Sequence, residues 1–344
     1  MSNPVLYGDI TPAIAAYAVV RMLTRAQPLL QLERFGQTYP LPTNSTQTAK
    51  FRRYYITGAT GSAGSGSGSF SIPVATTPLV EGVTPAGSKL SNVDYTVTLS
   101  QYGDFITITD VVMDTHTDPI LQQATDILGE QAALTVETLR FNVLKAGTNV
   151  FYSNGTARTD VNTAISLTVQ RQITTGLNRQ NAKKITSIVA STPDYNTKSV
   201  EAAYMAVCHP DLESDIRGMT GFKPVADYGP HTSPMEGEIG SVEQVRYLSS
   251  TVIAPWADGG GAKGAMRSTS GTSADVYPVL VFGRDAFGIV PLKGKSSMTP
   301  MVVNPKPAPG DPLGQRGTVG WKLWTATVIL QEAFMARLEC AATA

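Results

Sequence analysis

The window 119–146 constrains this chain more than any other stretch: it holds no proline and one glycine, Gly129. Asp118 is suited to accept N–H bonds as an N-cap, Pro119 fits the first helical position, and Gly147 fits the residue just past the end. A helix over the whole window is roughly 42 Å long. Ile120, Ala124, Ile127, Leu128, Leu134, Leu139, Val143 and Leu144 supply its apolar content, biased to one side. Helices in compact domains average about 11–12 residues. One this long is expected where an element must act as a strut, so the fold must be arranged around it.

The rest of the chain reads outward from that helix. Residues 1–49 form an arm. Thr11-Pro12 starts a short helix through Ala26, with Ile14, Ala18 and Met22 on one side, Arg21 and Arg25 toward the other, and Pro28 ending it. Residues 27–42 scatter apolar side chains among Gly36, Pro40 and Pro42, and are expected to lie across another surface because they cannot bury themselves. Residues 49–56 read as a strand with Phe51, Arg53 and Tyr55 on one face and Lys50, Arg52 and Tyr54 on the other. Residues 58–69 have linker composition, with Gly58, Gly61, Gly64, Gly66 and Gly68, and are expected to be a flexible loop tip. Order resumes over 72–80. Residues 94–109 alternate, with Gly103-Asp104 as a hairpin turn or a bulge between them.

Beyond 160 the pattern becomes α/β-like. A helix is expected over 166–178, a buried strand over 184–190, a helix or strand over 199–205, a short helix over 211–217, and strands over 240–250 and 277–290. Residues 257–273 form a Gly/Ser/Thr-rich loop and 305–312 a Pro-rich connector. A long strand follows over 321–330, with 332–338 continuing it or turning helical. There is no internal repeat.

Composition limits the chemistry. The 344 residues carry 27 Lys plus Arg against 27 Asp plus Glu, which lowers the weight of a general nucleic-acid binder and leaves little repulsion between copies. Charged residues are only 16%, and there are three His and two Cys. Cys208 and Cys340 are far apart and read as reduced buried thiols. No signal peptide and no membrane span are expected. Gly259-Gly260-Gly261-Ala262-Lys263-Gly264 matches a dinucleotide fingerprint, but no helix pattern follows it. Gly294-Lys295-Ser296 lacks the upstream glycine of a phosphate loop, since position 289 is Ile. His116 between Asp114 and Asp118 reads as a helix-capping turn rather than a metal site. His209-Pro210-Asp211 reads equally as a catalytic turn or a strand-to-helix cap. Lys50, Phe51, Arg52, Arg53, Tyr54 and Tyr55 suit either single-stranded nucleic acid or an acidic neighbouring subunit. No catalytic, cofactor-binding or metal-ligating residue is assigned.

The order of these elements carries a resemblance. After the arm and the strand with its Gly-rich loop come Pro78-Leu79-Val80-Glu81-Gly82-Val83-Thr84-Pro85, then Val93-Asp94-Tyr95-Thr96-Val97-Thr98-Leu99 and Ile106-Thr107-Ile108-Thr109-Asp110. The capped helix, an α/β half with Gly240-Ser-Val-Glu-Gln-Val-Arg246 and Val281-Phe-Gly-Arg-Asp-Ala-Phe287, and a closing strand follow. Nearly the whole chain thus resembles the major capsid proteins of tailed bacteriophages with the HK97-type fold, in particular those of phages related to coliphage N4. The resemblance implies an α+β fold with an N-terminal arm (1–49), an extended E-loop hairpin (50–90), a peripheral domain (91–160) with spine helix 119–146, an axial α/β domain (161–300) and a C-terminal return to the peripheral domain (301–344). It implies a structural protein, not an enzyme, that assembles into hexamers and pentamers of an icosahedral shell around double-stranded DNA. Expected contacts between subunits are Lys50, Phe51, Arg52, Arg53, Tyr54, Tyr55 and Glu81 of the E-loop and Arg21 and Arg25 of the arm. Expected partners are copies of itself, scaffold, portal, a decoration protein and non-specifically held DNA, with no cofactor and no membrane, in a virion capsid assembled in the host bacterial cytoplasm. A cellular nanocompartment shell of the same fold and an enzyme with a site near His209 to Asp211 remain the alternatives.

Overall fold

The computed structural model describes residues 30–42, 44, 46–56, 74–76, 78–84, 87–111, 120–185, 202–228, 235, 237–292, 299–303, 305, 307 and 311–344. In chain order these residues form β1 (Gln37–Thr38), β2 (Thr48–Ile56), β3 (Leu90–Thr98), β4 (Ser100–Thr109), α1 (Ile120–Lys145), β5 (Val150–Tyr152), α2 (Leu167–Arg179), β6 (Tyr204–Cys208), α3 (Glu213–Arg217), β7 (Phe222–Pro224), β8 (Glu238–Val242), β9 (Val245–Ser249), β10 (Val276–Phe282), β11 (Phe287–Pro291), β12 (Thr299–Val303), β13 (Arg316–Ile329) and β14 (Met335–Ala341).

The expected strut is α1. Ala124, Leu128, Ala132 and Val136 recur every fourth residue and are buried, as the period of a helix packed along one face requires. They press on Ile108 of β4 and on Val319, Trp321 and Leu323 of β13. Gln131 locks helix to sheet: its amide donates to Asp104 (2.5 Å) and its carbonyl accepts from the Trp321 indole (3.2 Å). The apolar side chains Ile127 and Leu134, expected on the packed side, point to solvent instead. Gly147 ends the helix through an N–H bond to Leu144 three residues back, and it suits the spot because Met335 and Glu332 leave no room for a side chain. Asp118, Pro119 and the cluster around His116 lie outside the described residues.

The sheet under α1 is built on the fourteen-residue β13, which pairs with β4 along one edge from Arg316 to Thr325. Its other edge is shared by β12 and β11, and β1 adds to β11 in parallel. Strand β4 runs unbroken through Gly103 and Asp104, so the turn expected there is absent; the chain breaks at Leu99 instead, between β3 and β4. Gly103 is needed because the Trp321 carbonyl lies 2.6 Å from where its Cβ would stand.

The second sheet has the order β5-β14-β10-β6-β9-β8-β7. Every residue of β6, β10 and β14 is buried, because α2 and α3 cover one face while the start of the described chain and the end of α1 cover the other. This double cover explains why 199–205 shows no period: it leads into a strand, Tyr204–Cys208, that is apolar on both sides. Ser166 caps α2, and Val169, Ile173 and Leu177 bury its inner stripe. Residues 332–338, ambiguous in the sequence, split into a short 3₁₀ turn at Glu332–Phe334 and the start of β14. Of the expected strand 184–190, only Ile185 is described beyond the preceding loop, bridged to Ala203. The 301–344 segment thus serves both sheets. Among the described residues no helix is long and apolar enough to cross a membrane.

Candidate assembly surfaces

Strands β2 and β3 form a separate two-stranded hairpin, in register from Thr48–Thr98 to Ile56–Leu90. Alternation along β2 gives it two faces. On the inner face, Ala49 is buried, and Phe51 fills the space above Gly288 and meets the Tyr39 ring edge-on at 5.7 Å. Arg53 donates to the Gln331 side chain. Phe51 and Arg53, expected at an intersubunit contact, therefore hold the hairpin to its own subunit. On the outer face are Lys50, Arg52 and Tyr54, the last 61% exposed. Arg52 grips Asp94, directly across the ladder, with two bonds of 2.8 and 2.9 Å. That fork holds the Asp94 carboxyl down at about 2 and raises the guanidinium further. Tyr55 is half-buried.

The exposed Glu81 occupies a turn closed by the Val83 N–H on the Val80 carbonyl (3.2 Å). Gly82, at φ +77°, takes the third position, where a side chain would be strained. Leu79, Val80 and Val83 around it are all exposed, Leu79 at 79%. Arg21, Arg25 and the glycines at 58, 61, 64, 66 and 68 lie outside the described residues.

Two more apolar surfaces are open. Ile127, Leu134 and Leu139 line a groove of about 480 Å³ along the outer side of α1. On the face of the β4–β13–β12 sheet away from α1, Phe105 and Met301 flank Gly320 in a groove of about 570 Å³, with Phe105 65% exposed.

One arrangement had no sequence signal. Glu137 of α1 is 1% exposed and accepts the backbone N–H groups of Gln31 (3.1 Å) and Leu32 (2.8 Å), which begin the 3₁₀ turn Leu32–Arg34. Arg140, one turn on, reaches Glu33 at 3.2 Å. Burial pushes the Glu137 carboxyl up, against the pull of these N–H groups and Arg140. Residues 30–42 then run beside β11, with Leu32, Phe35 and Leu41 buried. The surface that this part of the arm lies across is its own subunit's.

The chemical candidates become structural parts. His209 Nδ1 accepts the Asp211 N–H (3.2 Å) and caps the following 3₁₀ turn. Asp211 also accepts from the Tyr277 hydroxyl (2.8 Å) and pairs with Arg267 (2.8 Å). Burial, helped by Arg267 and opposed by Asp211, holds the imidazole below its ordinary value. The neighbouring Cys208 thiol points into the core, where burial pushes it far up. That thiol is therefore not an activated nucleophile for this imidazole. The 257–273 loop is tied by Asp275, which accepts from the Asp258 and Thr269 N–H groups, and by Asp258, which accepts from Ser268 and Ser270. Its glycines bond to Val161 and Ala274, not to a helix start. His231 and the 294–296 segment lie outside the described residues, among which no group of three or more His, Cys, Asp or Glu is placed to hold a metal.

The described residues thus form a long helix packed on the β13 sheet, a two-stranded hairpin and a second α/β sheet. Residues 92–338 match the family model described as phage capsid protein, and the chain belongs to that family. No curated protein sequence matches it. Among solved structures it is similar to the capsid of Ralstonia phage GP4, with a TM-score of 0.62 at 13% identity over 90% of this chain and 87% of that one. It is also similar to the capsid of cyanophage Pam1 (TM-score 0.56, 15% identity, 93% of each chain). A third match is the head of Helicobacter pylori bacteriophage KHP40 (TM-score 0.54, 12% identity, 89% of this chain and 86% of that one). The fold is the α+β, HK97-like capsid fold, and the protein is a structural, non-enzymatic capsid protein.

Proposed function

We propose that copies of this chain join into hexamers and pentamers of an icosahedral shell enclosing double-stranded DNA. The observation that carries this is the open apolar surface of the subunit: the α1 groove, the Phe105–Met301 groove and the Leu79–Val83 turn. One copy's hairpin and turn would cover another copy's grooves, with Lys50, Tyr54 and Glu81 at the contact, and obligate interfaces of this kind bury more than about 2,000 Å². The division into arm (1–49), E-loop (50–90), peripheral (91–160 and 301–344) and axial (161–300) parts is part of the same reading. So are membership of the group related to coliphage N4, assembly in the host bacterial cytoplasm, and engagement of scaffold, portal and a decoration protein. Packaged DNA would be met through its phosphates, without sequence preference.

Size-exclusion chromatography with electron microscopy of the purified protein tests the reading. Megadalton particles are the expected result. A subunit that stays monomeric with or without a scaffold protein would sink it. Protein rather than nucleic acid inside the particles would favour the nanocompartment instead.

A further inference from the structure

The end of α1 gathers more positive charge than the subunit neutralises. Lys145 Nζ, the Arg158 guanidinium and the Arg337 guanidinium lie 4.1, 3.6 and 5.7 Å from the centre of the Trp256 ring. The two arginines share one carboxylate, Glu339, which is fully buried. Arg158 takes it with two bonds of 2.8 Å and Arg337 approaches it at 2.9 Å. Arg337 also donates to the Lys145 and Gly147 carbonyls and so uses up the acceptors at the helix end. The nearby Glu332 carboxylate faces the Thr148 N–H at 3.0 Å.

Lys145 is what remains. Its ammonium rests on the rings of Trp256 and Phe141, and among the described residues no carboxylate or carbonyl accepts from it. It is half-buried, so water does not fully replace a partner. Burial lowers its basicity, and the two arginines lower it further. A cation held this way, with three unfilled donors beside two others, is a receptor for an anion.

We propose that Lys145, with Arg158 beside it, receives a carboxylate from a second copy of this chain. This inference rests on the assembly reading above. Charge balance favours a protein carboxylate over a nucleic-acid phosphate. The chain carries as many acids as bases, so a second copy brings carboxylates within reach without a net positive charge to repel this cluster. The cluster already recognises one carboxylate with paired arginine bonds, and its cations gather around one ring instead of forming the stripe that tracks a phosphate backbone.

The test treats assembled particles of isotope-mixed subunits with a water-soluble carbodiimide. The reagent activates an Asp or Glu carboxyl, the Lys145 amine attacks it, an amide forms, and the reagent leaves as its urea. Peptide mass spectrometry is expected to find Lys145 joined to an Asp or Glu of another copy. Amine-labelling of Lys145 should fall about tenfold between free subunits and empty particles, the ratio that a contact closed nine-tenths of the time gives. Lys145→Glu should leave the free subunit folded by circular dichroism, because Arg158 and Arg337 neutralise the new acid, yet reduce particle yield; Lys145→Gln should do so more weakly. Particles in which Lys145 is labelled as fast as in free subunits and forms no crosslink overturn the inference and leave the assembly reading intact. Protection seen only in DNA-filled particles assigns the site to phosphate and overturns it as well. If no particles form, both readings fall.

Discussion

Glu137 shows how a single side chain can fix the path of a distant segment. The turn Leu32–Arg34 has no side-chain cap of its own, and its first N–H groups point at a carboxylate more than a hundred residues further along the chain. Glu137→Ala would leave those groups without their acceptor in a dry site, at a cost of about 1–3 kcal/mol, while Arg140 keeps Glu33. Urea unfolding of unassembled subunits should show that loss, whereas Glu137→Gln, which keeps a carbonyl acceptor, should lose less. The proton linkage has a definite sign. The folded state raises the Glu137 carboxyl, so this group favours folding most strongly below its unfolded value, and the contribution is lost as pH rises through the folded value. Asp94 runs the other way. Its carboxyl is held at about 2, so its stabilisation is present above the unfolded value and disappears as pH falls toward the folded one. Arg52→Gln should return Asp94 to about 3.9, as read by carbon NMR of labelled aspartate carboxyls.

At the level of elements, the hairpin β2–β3 has separable faces, and substitutions on each should be read by different measurements. Phe51→Ala empties the space over Gly288 and should cost the isolated subunit about 2–3 kcal/mol in chemical denaturation, less than a fully buried ring. Tyr54→Ala should change subunit stability by no more than about 0.5 kcal/mol yet weaken particle formation. The reverse result would assign the outer face to the fold. The faces themselves were legible, because the alternation of Phe51, Arg53 and Tyr55 with Lys50, Arg52 and Tyr54 needs only the period of a strand. The long helix was legible too, because nothing in 119–146 breaks it. What the sequence concealed was which neighbour each face meets. Ile127 and Leu134 look like core residues on a helical wheel, and only the position of β13 shows that they are not. Gly103 reads as a turn until Trp321 is seen across the ladder. Glu137 and Lys145 carry no signal in the sequence, since Gln31, Leu32 and Trp256, which they meet, lie far away in the chain.

For the whole molecule, stability and assembly should come apart under truncation. Deleting 58–69 is expected to leave the subunit folded by circular dichroism but to weaken capsomer assembly; unchanged particle yield and stability would remove that loop from the contact. Deleting 335–344 removes β14 from between β5 and β10, and should abolish the folded subunit altogether, read as loss of soluble protein and of a cooperative melt. Strand β13 is as central to the other sheet, where Arg316 pairs with Thr109 and Ile329 with Phe287. Both sheets are therefore completed by β13 and β14, which follow all their pairing partners in sequence. Pairings so distant in sequence close slowly and late. Until those strands are in place neither sheet is complete, and the Phe105–Met301 groove, which β13 helps to line, is unformed. A chain lacking β13 and β14 would lack the strands on which both sheets are built, so order along the chain couples completion of the fold to exposure of the surfaces proposed for assembly.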